Sequence, residues 1–457
     1  MNNENLLRAR SNIVFIIALL VGFGLVMWVE KHSVAPPGQD AAVLAQGRNW
    51  GPGNVPRTIT YSQGIPALPE PRPLDARERE WAQVAWKYFD NNTHPETGLV
   101  NSVDKYEAAT MWDTASYLLA LISAARLELI PMKEFDARMA KALAALGRLP
   151  LFDAALPNKS YSTATLSMVD YANKPTPNGI GWSAIDISRL LVPLNIIAWS
   201  YPAHGESARR VIARWNMQRL THEGALFGVH VVNAGEFQHL QEGRLGYEQY
   251  AAKAASLVGL DVAEALDYRA QLDYADVYGI QLPHDRRDAR ATGGHNYVVS
   301  EPYVLDGLEF GWDRVSREFA WRVYRAQEER YRRTGTLTAV TEDHIDRAPY
   351  FVYNTVYSNG KAWNTLTEKG EDASKLRSLS VKAAFGWHAL YRSDYTAKLV
   401  GAAAKLFDPE RGWYAGMYEE GGAPNKAITA NTNAVVLESL AFIASGRLVN
   451  YRQEEKP

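Results

Sequence analysis

Residues 106–130 read YEAATMWDTASYLLALISAARLELI. From Thr114 onward the apolar residues return at i, i+3, i+4 and i+7, the spacing of one buried helix face. An aromatic and an acid, Trp112 and Asp113, stand directly before that helix. The same arrangement recurs outward in both directions. AREREWAQVAWKYF (76–89), EFDARMAKALAALGRL (134–149), DISRLLVPLNIIAWS (186–200), EQYAAKAASLVGL (248–260), REFAWRVYRAQEERYRR (317–333), SVKAAFGWHALY (380–391), DYTAKLVGAAAKLF (394–407) and NAVVLESLAFIASGRL (433–448) all carry the helical period. Convincing alternation is confined to ALFGVHVV (225–232) and TLTAVTEDHI (336–345), which read as short strands.

Between these helices lie TGLVNS (97–102), GIGWSAID (179–186), EGALFGV (223–229), GGHNYVVSEP (293–302) and RGWYAGMYEEGGAP (411–424), loops rich in Gly and aromatics. Helical hairpins separated by such loops, at irregular spacing, predict a mainly α chain closed into an (α/α)6-type toroid, with the long loops lining a cleft at one end. A solenoid of helical pairs would show a more uniform period.

Upstream, Ile13 to Val29 is an uncharged apolar run preceded by Arg8 and Arg10. Its length suits the hydrocarbon core, and the positive-inside rule leaves the N-terminus in the cytoplasm. Residues 1–30 therefore read as one transmembrane signal anchor in the inner membrane, single-pass, with the C-terminal domain in the periplasm. Residues 31–74, with VAPPGQD and GIPALPEPRPLD, read as an extended Pro/Gly-rich linker. The folded domain is expected over 75–457.

The chain has 457 residues, a net charge of −2, no Cys, 13 Trp and 24 Tyr. A balanced charge gives no basis for nucleic-acid binding, and the absence of Cys fits an extracytoplasmic domain without disulfides. No dinucleotide fingerprint, phosphate loop, nucleophile elbow or metal-spaced histidine pair is present, so neither metal nor cofactor is expected. Surplus Trp and Tyr point to a stacking surface.

THPETGLVNS (93–102), residues 106–130, GWSAIDISRLL (181–191), GYEQYAA (246–252) and SEPYVLDGLEFGW (300–312) together resemble the uncharacterised bacterial domain family DUF3131. The resemblance spans nearly everything after residue 75. It implies a link to exopolysaccharide or glucan metabolism and a distant similarity to six-hairpin glycosidases and glucoamylase-like domains.

Glycoside hydrolysis needs one carboxylic acid and one carboxylate. Asp113 is a candidate, with helix capping as its structural alternative. Glu301, before Pro302, belongs to a loop near a helix start. Glu248, between Tyr247 and Tyr250, sits where an aromatic neighbour would raise a carboxyl pKa. Asp113 or Glu301 is the expected proton donor, with the other or Glu248 as base or nucleophile. Asp306 and Glu309 are expected to be solvated or ion-paired. Candidate sugar contacts are Glu107, Trp112, Trp182, Asp186, Arg189, Tyr247, His295, Trp413, Tyr414 and Asn431. Asp186 and Arg189, three apart, most simply form an ion pair, and Asn431, Thr432 and Asn433 cap the last helix. His295, Asn296 and Tyr297 offer a rival lyase chemistry, although neighbours in an extended loop point to opposite sides. The expected partner is a polysaccharide or oligosaccharide. A non-catalytic scaffold beside exopolysaccharide synthesis or export proteins is the other reading.

Overall fold

The computed structural model describes residues 57–233, 236–287 and 295–450. Eleven α-helices occur among them: α1 (Ala76–Asn92), α2 (Met111–Arg126), α3 (Met132–Leu146), α4 (Ala184–Ser200), α5 (Pro202–Ala213), α6 (Tyr247–Ser256), α7 (Glu301–Phe310), α8 (Arg314–Thr334), α9 (Val381–Tyr391), α10 (Asp394–Ala403) and α11 (Ala430–Ser445).

Six of them are buried around nearly their whole circumference. In α2 every residue from Asp113 to Ala124 is buried, and α7, α9 and α11 are similar. A helix apolar on all sides must be wrapped by others. These inner helices form a closed ring: α2 packs on α4, α4 on α6, α6 on α7, α7 on α9, α9 on α11, and α11 returns to α2. Amphipathic helices make the outer layer, with α1 on α11, α3 on α2, α5 on α4, α8 on α7 and α10 on α9. Between α6 and α7 the described residues hold no outer helix. An antiparallel hairpin, Leu272–Val277 with Ile280–Asp285, stands in that place, and its second strand packs on α8. Its two-residue turn, Tyr278 and Gly279, has φ of 59° and 81°, the left-handed pair that matches strand twist.

The mainly α expectation needs one correction. The loops at the N-terminal end of the inner ring are built from short antiparallel sheets, well beyond the two strands expected. Ala225–Asn233 pairs with Glu236–Gln241. Glu342–His344, Phe351–Asn354 and Thr365–Leu366 make a three-stranded sheet. Ser378–Ser380 and Pro424–Ile428 flank Gly412–Tyr418.

The expected linker is extended over its described part, yet it does not hang free. Ser62 donates to Glu318 from its backbone N at 2.8 Å and its hydroxyl at 2.7 Å, Arg322 donates to the Thr60 carbonyl at 2.8 Å, and Arg317 to that of Pro66 at 2.7 Å. Residues from Arg57 onward thus strap α8, and the packed body begins there instead of at Asp75. The expected anchor at 1–30 lies outside the described residues, within which no helix is long and apolar enough to cross a membrane.

Candidate active site

The N-termini of the inner helices converge on a cavity of about 1200 Å³. Each contributes a polar side chain from its first turn: Asp113 from α2, Asp186 from α4, Tyr247 from α6, Glu301 from α7, Lys382 from α9 and Asn431 from α11. The toroid brings residues more than 300 positions apart onto one floor. The strand-built loops supply walls, with Glu342, Asp343, His344 and Tyr353 on one side and Gln241 and Glu242 on another.

Asp113 does not cap α2. That role falls to Thr110, whose hydroxyl accepts from the Asp113 backbone N at 3.1 Å and donates to Asp113 Oδ2 at 2.7 Å. Burial raises the Asp113 pKa, opposed by the Thr110 bonds and by the fields of Lys382 and Arg189. Asp186 stands at the third position of α4, capped by Ser183. It is partly open to the cavity and enclosed elsewhere. Burial, then repulsion from Glu242 and Asp113, pushes its pKa up to about 7. Asp186 therefore holds a proton near neutrality while lying in the cleft. Glu242 is fixed by the start of α4, accepting from Ala184 N at 2.6 Å and Ser183 Oγ at 3.0 Å.

Glu301 is the first residue of α7. Its Oε2 pairs with Lys382 Nζ and its Oε1 accepts from Asn431 Nδ2 at 2.7 Å. Both carboxylate oxygens of Glu301 are thus engaged, one by an ammonium and one by an amide. Lys382 itself is buried. The cost of desolvation is overcome by Glu301, Asp343 and Glu342, so its pKa is raised.

Other expected residues fall elsewhere. Glu248 is buried beneath the wall, paired to Arg287 at 2.6 Å and bonded by Gln241 Nε2 at 2.8 Å, while Asp285 shares Arg287 at 2.5 Å. It is outside the cavity lining. We expect Glu248→Gln to cost about 1–3 kcal/mol in denaturant unfolding through its lost charged hydrogen bonds. Trp182 is fully buried, donating to the Phe227 carbonyl at 3.1 Å, and Trp413 is fully buried against Trp81 and Phe385. Neither is a sugar platform, and Tyr414, packed against the core, is not in the lining either.

Arg189 does not pair with Asp186. It is fully buried below the cavity floor, 3.3 Å from both Glu309 and Glu438, with its guanidinium 4.5 Å from the Trp112 ring centre. Asp306 is ion-paired as expected, to Lys253 at 2.6 Å, and like Glu309 it is buried instead of solvated. Glu107 is exposed and outside the lining, although its neighbours Tyr106 and Ala108 belong to it. Thr429 caps α11, which leaves Asn431 free to reach Glu301, while Asn433 accepts from Trp413 N at 2.8 Å.

Trp112, Tyr247 and His295 do line the cavity. Trp112 and Tyr247 meet edge to face at 5.6 Å, and His295 stacks on Tyr297 at 5.0 Å. Asn296 lies outside that lining and donates to the Asp285 carbonyl at 2.9 Å. The lyase trio therefore splits, as alternation in an extended strand requires.

Lys382, Glu342, Asp343 and Glu242 went unread in the sequence. Lys382 left one signal, because a lysine in the first turn of a helix opposes the helix dipole and calls for an anionic partner.

The fold is shared with solved glycan-cleaving enzymes. An endo-β-1,2-glucanase from Chitinophaga pinensis, solved with sophorotriose and glucose, superposes with a TM-score of 0.59 at 14% identity, over 82% of this chain and 93% of its own. An endo-β-1,2-glucanase from Talaromyces funiculosus, solved with sophorose, gives 0.55 at 12%, over 81% and 84%. Such identities establish a common fold and nothing finer. No curated protein matches the sequence. A family model does match, over residues 80–446, and with most of the toroid inside that span the chain belongs to the family described as a protein of unknown function, DUF3131.

Proposed function

We propose that this protein is a glycoside hydrolase acting on a bacterial exopolysaccharide or glucan. The observation that carries the reading is a set of carboxyls in unlike surroundings on one cavity floor: Asp186, pushed up to about 7 by burial and by repulsion from Glu242 and Asp113, Asp113 bonded to Thr110, and Glu301 paired with Lys382. Pairs of carboxyls whose surroundings separate their protonation states are what acid and base assignments require. Asp186 donates its proton to the glycosidic oxygen as the bond to the anomeric carbon breaks. Asp113, bonded through one oxygen to Thr110 and without an ion pair among the described residues, takes a proton from the water that adds to that carbon. Glu301, with Lys382 and Asn431, supports the positive charge developing on the ring. Trp112, Tyr247 and Tyr353 offer flat faces for pyranose rings.

The cavity lining carries eight carboxylates against three cations. A lyase needs a uronate polymer, which that surplus would repel. We place the domain in the periplasm behind the anchor at 1–30. Membrane fractionation of the full chain is expected to retain it in the pellet after high-salt washing, and a soluble full-length chain would sink this placement.

The test is incubation with neutral glucans and exopolysaccharides, followed by mass spectrometry. Products heavier by one water are expected. Unsaturated ends would mean a lyase, and glycan binding without products would mean a scaffold beside the export machinery.

A further inference from the structure

The wall opposite α4 has its own chemistry. Glu342 and Tyr353 face each other in register across the sheet of Glu342–His344 and Phe351–Asn354, and Tyr353 is also paired with Leu366, two residues before Glu368. Glu342, Tyr353 and Glu368 all line the cavity, and among the described residues neither glutamate has an ion pair. Lys382, the cation whose field reaches Glu342, pairs with Glu301 and, at 3.8 Å, with Asp343 Oδ1. Asp343, only 2% exposed and also in the lining, has an Oδ2 without a hydrogen-bond partner. A buried acceptor left open is costly unless a ligand supplies the donor. Tyr353 packs on Tyr297 at 4.3 Å, so the acids are set around an aromatic face.

Neutral hydroxyls would satisfy these acceptors and leave their charge unrelieved. We propose that this wall binds the ammonium of an amino sugar, and that the substrate is a hexosamine polymer at least partly lacking N-acyl groups. An ammonium supplies three donors, neutralises Glu342 and Glu368, and is attracted to the Tyr353 ring. The negative field at this wall fits this, since the Tyr353 phenol is raised first by burial and then by Glu342 and Glu368. The inference rests on the hydrolase reading for its reaction and on the wall alone for its ligand.

The experiment compares a glucosamine hexamer, the N-acetylated hexamer and a neutral glucan hexamer by titration calorimetry and product analysis, with the full chain and its Glu342→Gln/Glu368→Gln variant. The glucosamine hexamer is expected to bind about tenfold more tightly than the other two, an advantage drawn from charge-assisted hydrogen bonds and cation–π contact and lost in the variant. Equal or weaker binding of the glucosamine hexamer, or a preference that survives in the variant, overturns the proposal. Cleavage of the neutral glucan without glucosamine binding would overturn it and leave the hydrolase standing. Tight glucosamine binding without cleavage of any oligomer would support the wall and count against the hydrolase.

Discussion

Asp186→Asn is expected to lower kcat by about 10²–10⁴-fold, the range for loss of a positioned proton donor, with little change in KM. The substitution keeps the shape of the side chain and leaves its backbone N bonded to Ser183 Oγ. The wild-type rate should fall as pH rises through about 7, where Asp186 loses its proton. That alkaline limb should be absent from the residual activity of the variant. The stability of the variant should change in the opposite sense to its activity. A carboxyl whose pKa is raised on folding favours the folded state below its unfolded value near 4, and that contribution is lost as pH rises through 7. The neutral amide escapes the loss, so at pH 8 the variant should melt higher than wild type by roughly 1 °C per kcal/mol relieved, and the difference should vanish at pH 4. Full activity in Asp186→Asn would remove Asp186 as donor, and an inactive but unfolded variant by circular dichroism would leave the role to the pH profile of the wild type.

Arg189→Met should produce the largest loss of stability. Its guanidinium is the cation between Glu309 and Glu438, all three fully buried. Burial pushes Glu309 to about 7 despite the arginine, and Glu438 well above its usual value. Removing the cation strands two carboxyls in the ring interior, and breaking such a buried pair costs about 3–5 kcal/mol. The penalty should be smallest at low pH, where both acids are protonated, and should grow above pH 7. Adding Glu309→Gln and Glu438→Gln should recover more than half of the loss in urea unfolding. If Arg189→Met alone matched wild type at pH 8, the cluster would have no part in holding the ring.

The helices were legible because their faces repeat at 3.6 residues, and the toroid because its hairpins do. Of the sheet walls, the strand expected at 225–232 is found at Ala225–Asn233 and part of that expected at 336–345 at Glu342–His344, and the rest were not legible. The Leu272–Asp285 hairpin turns on Tyr-Gly instead of the more telling Asn-Gly, and most other strands are too short to show alternation. The misread tryptophans have a single physical cause. Glycines beside Trp182 and Trp413 suggest an open cleft loop, but they are required by close packing. A Cβ on Gly181 would lie 2.0 Å from the Val229 carbonyl oxygen, and one on Gly412 would lie 2.7 Å from Asn433 Oδ1. Aromatics beside such contacts are buried by them. Asp113, Glu301 and Asn431 were reachable from sequence because each opens an apolar helix. Arg189 and Glu248 carried the same local signals, and only the tertiary partners Glu309, Glu438 and Arg287 separate a structural charge from one facing the cavity.

The ring closes through its last helix. Ser116 reaches Asn431 across 315 residues, and Arg126 donates to the Leu448 carbonyl across 322. Contacts of such sequence separation form late, after the intervening chain has been made. A ribosome that has synthesised everything up to α10 has produced an open ring, a cavity floor without Asn431 and no partner for Glu301 Oε1. The cavity is thus completed in one step, when α11 closes the ring.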